Sequence, residues 1–223
     1  MAIVLNIETA TINCSVSLSK DGEILVLKED NSLGYSHAET LHLFIDEVFK
    51  VSDIKPSGID AVAISKGPGS YTGLRIGVSS AKGLCFALDK PLIAIDTLES
   101  LAHQVKIKDG FIVPMLDARR MEVYSAVYSA NLESYRGVEA EILTAESYSS
   151  LLEINKVYFI GSGVEKTKGL IQHSNAVFIE GKLPSSNEMA FLAEFKYKIS
   201  DTEDVAYFEP YYLKDFIALK KKA

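Results

Sequence analysis

An acidic residue closes the first apolar run of the chain. Ile3 to Ile7 leads into Glu8 and Thr9, and Ala10-Thr11-Ile12-Asn13 bends the chain before the next run. A carboxylate at a strand end, beside backbone amides in a bend, is an arrangement that can face the phosphates of a nucleotide. The bend has no glycine, the residue that lets backbone approach a phosphate closely. Glu8 and Thr9 therefore read either as a weak nucleotide site or as a polar strand end. Gly161-Ser162-Gly163 is the second candidate, lying between the apolar run Val157 to Ile160 and a helical pattern from Val164. A glycine turn there suits a phosphate or an adenosine, and equally a plain strand-to-helix connection.

The remaining polar groups carry less chemistry. His37 and His42 stand five apart on one helical pattern and diverge by about 140°, so they cannot ligate one metal from a helix face. His103 and His173 have no neighbouring ligand in sequence. No metal site is expected. Asp96 and Glu99 form a carboxylate pair at a helix start, where acidic residues also serve the helix dipole. Ser70, in Gly67-Pro68-Gly69-Ser70-Tyr71, has no base in view, and no nucleophile elbow, P-loop or dinucleotide fingerprint is present.

The elements that must position these groups fall into two similar series. In the first half, Ile3 to Ile7, Cys14 to Leu18 and Glu23 to Leu27 are strands, the last two joined at Lys20-Asp21-Gly22. A helix follows, with Ser36 and Glu39 as a capping box and Leu41, Phe44, Ile45, Val48 and Phe49 on its apolar face. Next come a strand over Ala61 to Ser65, a helix over Thr72 to Leu88, a strand over Leu92 to Ile95 and a helix from Thr97. In the second half, strands at Phe111 to Leu116, Glu122 to Tyr128 and Glu139 to Leu143 precede a helix from Thr144 to Glu153. Val157 to Ile160 and Val177 to Ile179 are then strands, Val164 to Gln172 and Ser186 to Ser200 helices. The order strand, strand, strand, helix, strand, helix, strand, helix occurs twice. It predicts an α/β protein of the actin-like ATPase (ribonuclease H-like) class, with two tandem mixed-sheet units over 1–104 and 105–223.

Composition agrees with a folded, acidic protein. The chain has 223 residues, 48% of them apolar, and a formal net charge of −7. An unaided nucleic-acid binder usually carries a basic face, so tRNA is not expected as a direct ligand of the chain alone. The lysines Lys220, Lys221 and Lys222 read as a solvated tail or an RNA contact. Cys14 and Cys85 have neither metal nor redox spacing and read as small core residues, which fits a cytoplasmic location. No apolar run reaches membrane length and no signal peptide is recognised, so no membrane partner is expected.

The helix over Thr72 to Leu88 is apolar almost all round. Leu74, Val78, Ala81, Leu84, Cys85 and Leu88 fill one side. Gly73, Ile76, Ser80, Gly83 and Ala87 form a small-residue side, and Arg75, Ser79 and Lys82 share a stripe. Such a helix is either deeply buried or covered by a partner.

Three segments carry a family resemblance. Gly67-Pro68-Gly69-Ser70-Tyr71-Thr72-Gly73-Leu74-Arg75-Ile76-Gly77, Asp117-Ala118-Arg119-Arg120-Met121-Glu122-Val123-Tyr124 and Pro210-Tyr211-Tyr212-Leu213-Lys214 resemble signatures of the TsaB (YeaZ-like) family, and His37-Ala38-Glu39 with Leu41 fits its first helix. The resemblance implies a non-catalytic relative of the TsaD transferase. Where TsaD carries its metal-binding histidine pair, this chain has Thr97 and Leu101. It implies pairing with TsaD through the first two helices, with Leu41, Phe44, Tyr71, Leu74, Arg75, Val78, Ser79 and Lys82 as candidate contacts, and assembly with the TsaE ATPase. The implied product is threonylcarbamoyladenosine in tRNA. ATP, ADP and metal are expected in the partner complex, no cofactor in this chain, and a homodimer when the chain is alone. The alternative reading of the same fold is an active ATP-dependent small-molecule kinase or ATPase.

Overall fold

The computed structural model describes residues 2–31 and 37–214. The capping residue Ser36 and the lysines Lys220–Lys222 lie outside the described residues. Among the described residues, ten strands and six α-helices run in the expected order: β1 (Ile3–Glu8), β2 (Cys14–Lys20), β3 (Glu23–Asp30), α1 (His37–Ser52), β4 (Ala61–Gly67), α2 (Tyr71–Leu88), β5 (Leu92–Asp96), α3 (Thr97–Ala102), β6 (Phe111–Asp117), β7 (Glu122–Ser129), β8 (Ser134–Ile142), α4 (Ser149–Ile154), β9 (Val157–Ile160), α5 (Val164–Leu170), β10 (Ala176–Ile179) and α6 (Ser186–Lys198).

The first sheet has the order β3-β2-β1-β4-β5, the second β10-β9-β6-β7-β8. Read from its other edge, the second order repeats the first. In each sheet the first strand pairs antiparallel with the hairpin and parallel with the crossover strand. This is the duplicated mixed-sheet arrangement of the actin-like fold.

Two boundaries differ from expectation by five residues, each for a local reason. β8 begins at Ser134, five residues early, because an edge strand tolerates exposed polar residues and Gly137 where a core strand would not. The helix expected from Thr144 begins only at Ser149. Thr144 N–H donates to Ser147 Oγ at 3.1 Å and Glu146 N–H to Thr144 Oγ1 at 3.2 Å, so side chains capture the donors a helix start would leave open.

Each sheet is covered on both faces. α1 and α2 bury Leu41, Ile45, Val48, Val78, Ala81 and Cys85 on the outer face of the first sheet. Leu151, Leu152 and Val164, from α4 and α5, join the outer core of the second. Between the sheets, Leu98, Leu101 and Ala102 of α3 pack with Ile112, Leu116 and Ile160 of the second sheet. α6 returns to the first sheet: Met189, Leu192 and Ala193 pack on Ala2, Val4, Ala61, Ala63, Ile93 and Ile95. By sequence α6 belongs to the second series of elements, by contact to the first sheet. The inner face of that sheet is also polar at one end. Ser15 Oγ lies 2.8 Å from Ser186 Oγ, and Ser17 Oγ donates to Ser186 O at 3.0 Å. Asn6 donates to Ser17 and Ser19.

Candidate functional site

Glu8 and Thr9 sit at the end of β1, fully buried. Glu8 Oε1 accepts the Ala10 N–H at 2.5 Å and the Ser65 hydroxyl at 2.9 Å. Burial lifts the Glu8 carboxyl to about 7, against the downward pull of those hydrogen bonds. The bend after Thr9 is closed by the chain itself. Ser70 N–H donates to Ala10 O at 2.7 Å, and Thr9 Oγ1 donates to Gly73 O at 2.9 Å. A Cβ on Gly69 would lie 2.4 Å from Ala10 O, one on Gly73 2.1 Å from Thr9 O, and one on Gly77 2.2 Å from Thr9 Oγ1. The glycines of this region therefore serve contact between α2 and the bend, which leaves no glycine free to let backbone approach a phosphate. The residues do not fit a nucleotide there.

The second candidate resolves the same way. Gly161 has φ +111°, and a Cβ on it would lie 2.3 Å from Met115 O; one on Gly163 would lie 2.9 Å from Val123 Cγ1. Gly163 N–H donates to Met115 O at 3.2 Å, and exposed Ser162 accepts the Asp117 N–H at 3.0 Å. The turn is tight packing against β6, followed by a helix of only 7 residues. Thr97 and Leu101 are both buried, Leu101 in the core beneath α3. Asp96 caps α3, accepting the N–H groups of Leu98 and Glu99, and burial raises the carboxyl pKa of both Asp96 and Glu99. Among the described residues no group of three or more His, Cys, Asp or Glu side chains is placed to hold a metal.

The eight candidate contact residues separate once α2 is set on the sheet. Leu41, Leu74 and Val78 are buried in the chain's own core, which corrects their place in a partner surface. The Gly73–Thr9 and Gly77–Thr9 contacts fix the rotation of α2 and turn that side inward. Lys82 is half-buried and donates to Ala206 O at 3.1 Å and Phe208 O at 2.8 Å, tying the C-terminal segment to α2. Tyr71 packs on Tyr212, ring centroids 4.9 Å apart and the rings tilted by 36°, and Arg75 lies 4.7 Å over the Tyr71 ring. Arg75 and Ser79 are exposed and Phe44 is half-buried. Sequence reasoning missed Phe86, 86% exposed, and Leu43, 60% exposed. Phe86 continues the Arg75–Ser79–Lys82 stripe by one more turn, so the signal was present. His42, Ser79, Ser80, Gly83 and Leu84 line a shallow depression of about 390 Å³ between α1 and α2.

The three signature segments meet in space. Tyr211 N–H donates to Lys66 O at 2.7 Å beside Gly67, Tyr212 packs on Tyr71, and Lys214 pairs with Glu122. Lys166 Nζ braces the β6–β7 turn by donating to Asp117 Oδ1 at 2.8 Å, Arg120 O at 2.7 Å and Glu122 O at 3.1 Å. The closing segment thus joins the first signature to the second. A family model described as TsaD, tRNA N6-adenosine threonylcarbamoyltransferase, matches residues 33–222. The protein described as tRNA threonylcarbamoyladenosine biosynthesis protein TsaB of Escherichia coli (strain K12) is 30% identical over 226 residues, covering 98% of this chain and 97% of that one. The chain belongs to the TsaB family. The TsaB protein of Bacillus subtilis (strain 168) is 29% identical, over 95% of this chain and 93% of its own. Among solved structures, YeaZ from Pseudomonas aeruginosa superposes with a TM-score of 0.82 at 25% identity, over 96% of this chain and all of its own. Among the described residues of this TsaB-family chain, no helix is long and apolar enough to cross a membrane.

Proposed function

We propose that the chain is a non-catalytic subunit in the synthesis of threonylcarbamoyladenosine in tRNA. It pairs with and activates a TsaD-type transferase, and assembles with a TsaE-type ATPase. The observation that carries this reading is the closed bend at Thr9. The loop that would face a nucleotide is filled by the start of α2, so the fold is kept as a framework and its cleft is not used for chemistry. The near full-length likeness to proteins named for this pathway supports the substrate. ATP, ADP and metal belong to the partner complex, and stable tRNA engagement is a property of that complex.

The partner face is the exposed side of α1 and α2: Leu43, Phe86, Arg75 and Ser79 around the shallow depression. Large apolar side chains exposed at this level on two packed helices suit a protein contact. In the absence of the transferase, the same face closes a homodimer.

The test is light scattering after size exclusion, on the chain alone and mixed with the TsaD-type transferase of its own organism. A homodimer that converts to a mixed complex, and fails to do so in Phe86→Glu, supports the reading. A chain that ignores the transferase overturns it, and ATP turnover by the isolated chain would then favour the kinase or ATPase alternative.

A further inference from the structure

A cavity of about 730 Å³ lies away from every feature above, formed by the loop before β6 and the loop before β9. These are the N-terminal ends of the strands, whereas Glu8 and Gly161 stand at C-terminal ends. Lys106, Lys108 and Lys156 line it, with Asp109, Asn155 and Tyr158.

The two loops are stitched together. Asp109 Oδ1 accepts the Gly110 N–H at 2.9 Å and Asp109 Oδ2 accepts the Asn155 side-chain amide at 2.9 Å. Asn155 Oδ1 accepts the Lys156 N–H at 2.7 Å, and Phe111 N–H donates to Lys156 O at 2.9 Å. Gly110, at φ +104°, lets that carbonyl approach, since a Cβ there would lie 2.4 Å from Lys156 O. Both Asp109 oxygens are engaged by neutral donors, and none of the three lysines makes an ion pair among the described residues. Three lysines against one aspartate leave an excess of two positive charges at a concave, fixed site, in a chain whose formal net charge is −7.

We propose that this cavity binds phosphate groups, and that their source is the backbone of RNA. Lysine is a point-charge phosphate ligand with three rotatable donors, suited to a backbone that presents its phosphates in varied directions. The cavity is open to solvent, and half-buried Tyr158 in its lining places an aromatic side chain beside the lysines. The RNA source rests on the function proposed above; the phosphate chemistry does not. The acidic remainder of the surface keeps the contact weak in the isolated chain, so it adds a local foothold rather than a full binding face.

The experiment titrates the full chain with fluorescein-labelled tRNA transcript and, separately, with sodium pyrophosphate, at about 50 mM salt where phosphate contacts are strong. Lys106→Glu/Lys108→Glu/Lys156→Glu is compared with Lys20→Glu/Lys55→Glu/Lys182→Glu, an equal charge change at exposed lysines elsewhere, both checked for native circular dichroism. We expect the cavity variant to lose at least tenfold in affinity for both probes, and the control less than threefold. The slope of log K on log salt for tRNA should fall by about 2 in the cavity variant, at roughly 0.7 per phosphate contact. Equal losses in the two variants, or no binding of either probe by the unaltered chain, overturn the proposal. Loss of pyrophosphate binding with tRNA binding intact overturns the RNA source, and leaves the complex-formation test above unaffected.

Discussion

The hydroxyl of Thr9 donates to the carbonyl of Gly73 across 64 residues of sequence, at 2.9 Å. This bond seats the first turn of α2 on the bend after β1. It joins the candidate phosphate loop to the helix that carries the proposed partner face, and it can form only because Gly73 and Gly77 have no side chain.

Gly73→Ala should therefore unfold the chain in part. The added methyl meets backbone, not a movable side chain, and overpacking of this kind costs about 1–3 kcal/mol or more. Gly83→Ala is the matched opposite. Nothing lies within 4 Å of a Cβ there, so the gain in helix propensity should stabilise the chain by about 0.5–1 kcal/mol. Urea denaturation of the two variants reads both; a stabilised Gly73→Ala would show that α2 is not seated as described.

Glu8 makes stability fall as pH rises. Its carboxyl titrates at about 7 in the folded chain, raised by burial from an ordinary value of 4.5 that the unfolded chain regains. Below pH 4.5 both states hold the proton and nothing is lost. Between 4.5 and 7 the unfolded state ionises while the folded state does not, so folding loses free energy at about 1.4 kcal/mol per pH unit. Glu8→Gln keeps the acceptor for Ala10 and Ser65 and removes the titration. Its stability should exceed that of the unaltered chain at about pH 7, with the difference vanishing near pH 4. A difference independent of pH would mean that Glu8 is already charged when buried.

Val78 and Phe86 share a helix and should respond in opposite ways to glutamate. Val78 is 4% exposed and packs in the first core, so Val78→Glu buries an unpaired charge and should lower the melting temperature sharply. Phe86→Glu should leave melting unchanged while abolishing the homodimer and the mixed complex. Differential scanning fluorimetry beside light scattering separates the two effects, and a melting loss in Phe86→Glu equal to that of Val78→Glu would remove the case for a partner face.

Lys82→Met should loosen the segment around 206–208, whose carbonyls it holds. Hydrogen exchange should rise in residues 204–212 and stay level in α2. Unchanged exchange would mean that the segment's other contacts, among them Tyr212 on Tyr71 and the Tyr211 N–H on Lys66 O, hold it without Lys82.

Much of the fold was legible because alternation and helical period leave a mark at each element. Val4, Leu5 and Ile7 read as buried strand, and Leu41, Ile45 and Val48 as one helix face. The rotation of α2 was not legible. Its residues are apolar on nearly every side, and periodicity cannot say which stripe meets the sheet; the contact of Gly73 and Gly77 with Thr9 decides it, and that contact is long-range. The same blindness put Leu74 and Val78 on the surface and left Phe86 out. The absence of glycine in the Thr9 bend was legible, but the packing of residues 69–73 against that bend emerges only in three dimensions. The cavity of Lys106, Lys108 and Lys156 escaped notice because its lysines come from two loops about 50 residues apart in sequence.

The return of α6 to the first sheet sets the order in which the chain can become soluble on the ribosome. Ala61, Ala63, Ile93 and Ile95 are made first, and their cover, Met189, Leu192 and Ala193, follows about 100 residues later. At roughly 5–20 residues per second, the nascent first sheet waits several seconds or more with one face bare. A ribosome-stalled product ending near residue 180 should hold a chaperone that binds exposed apolar surface, and release it once α6 has packed on the first sheet.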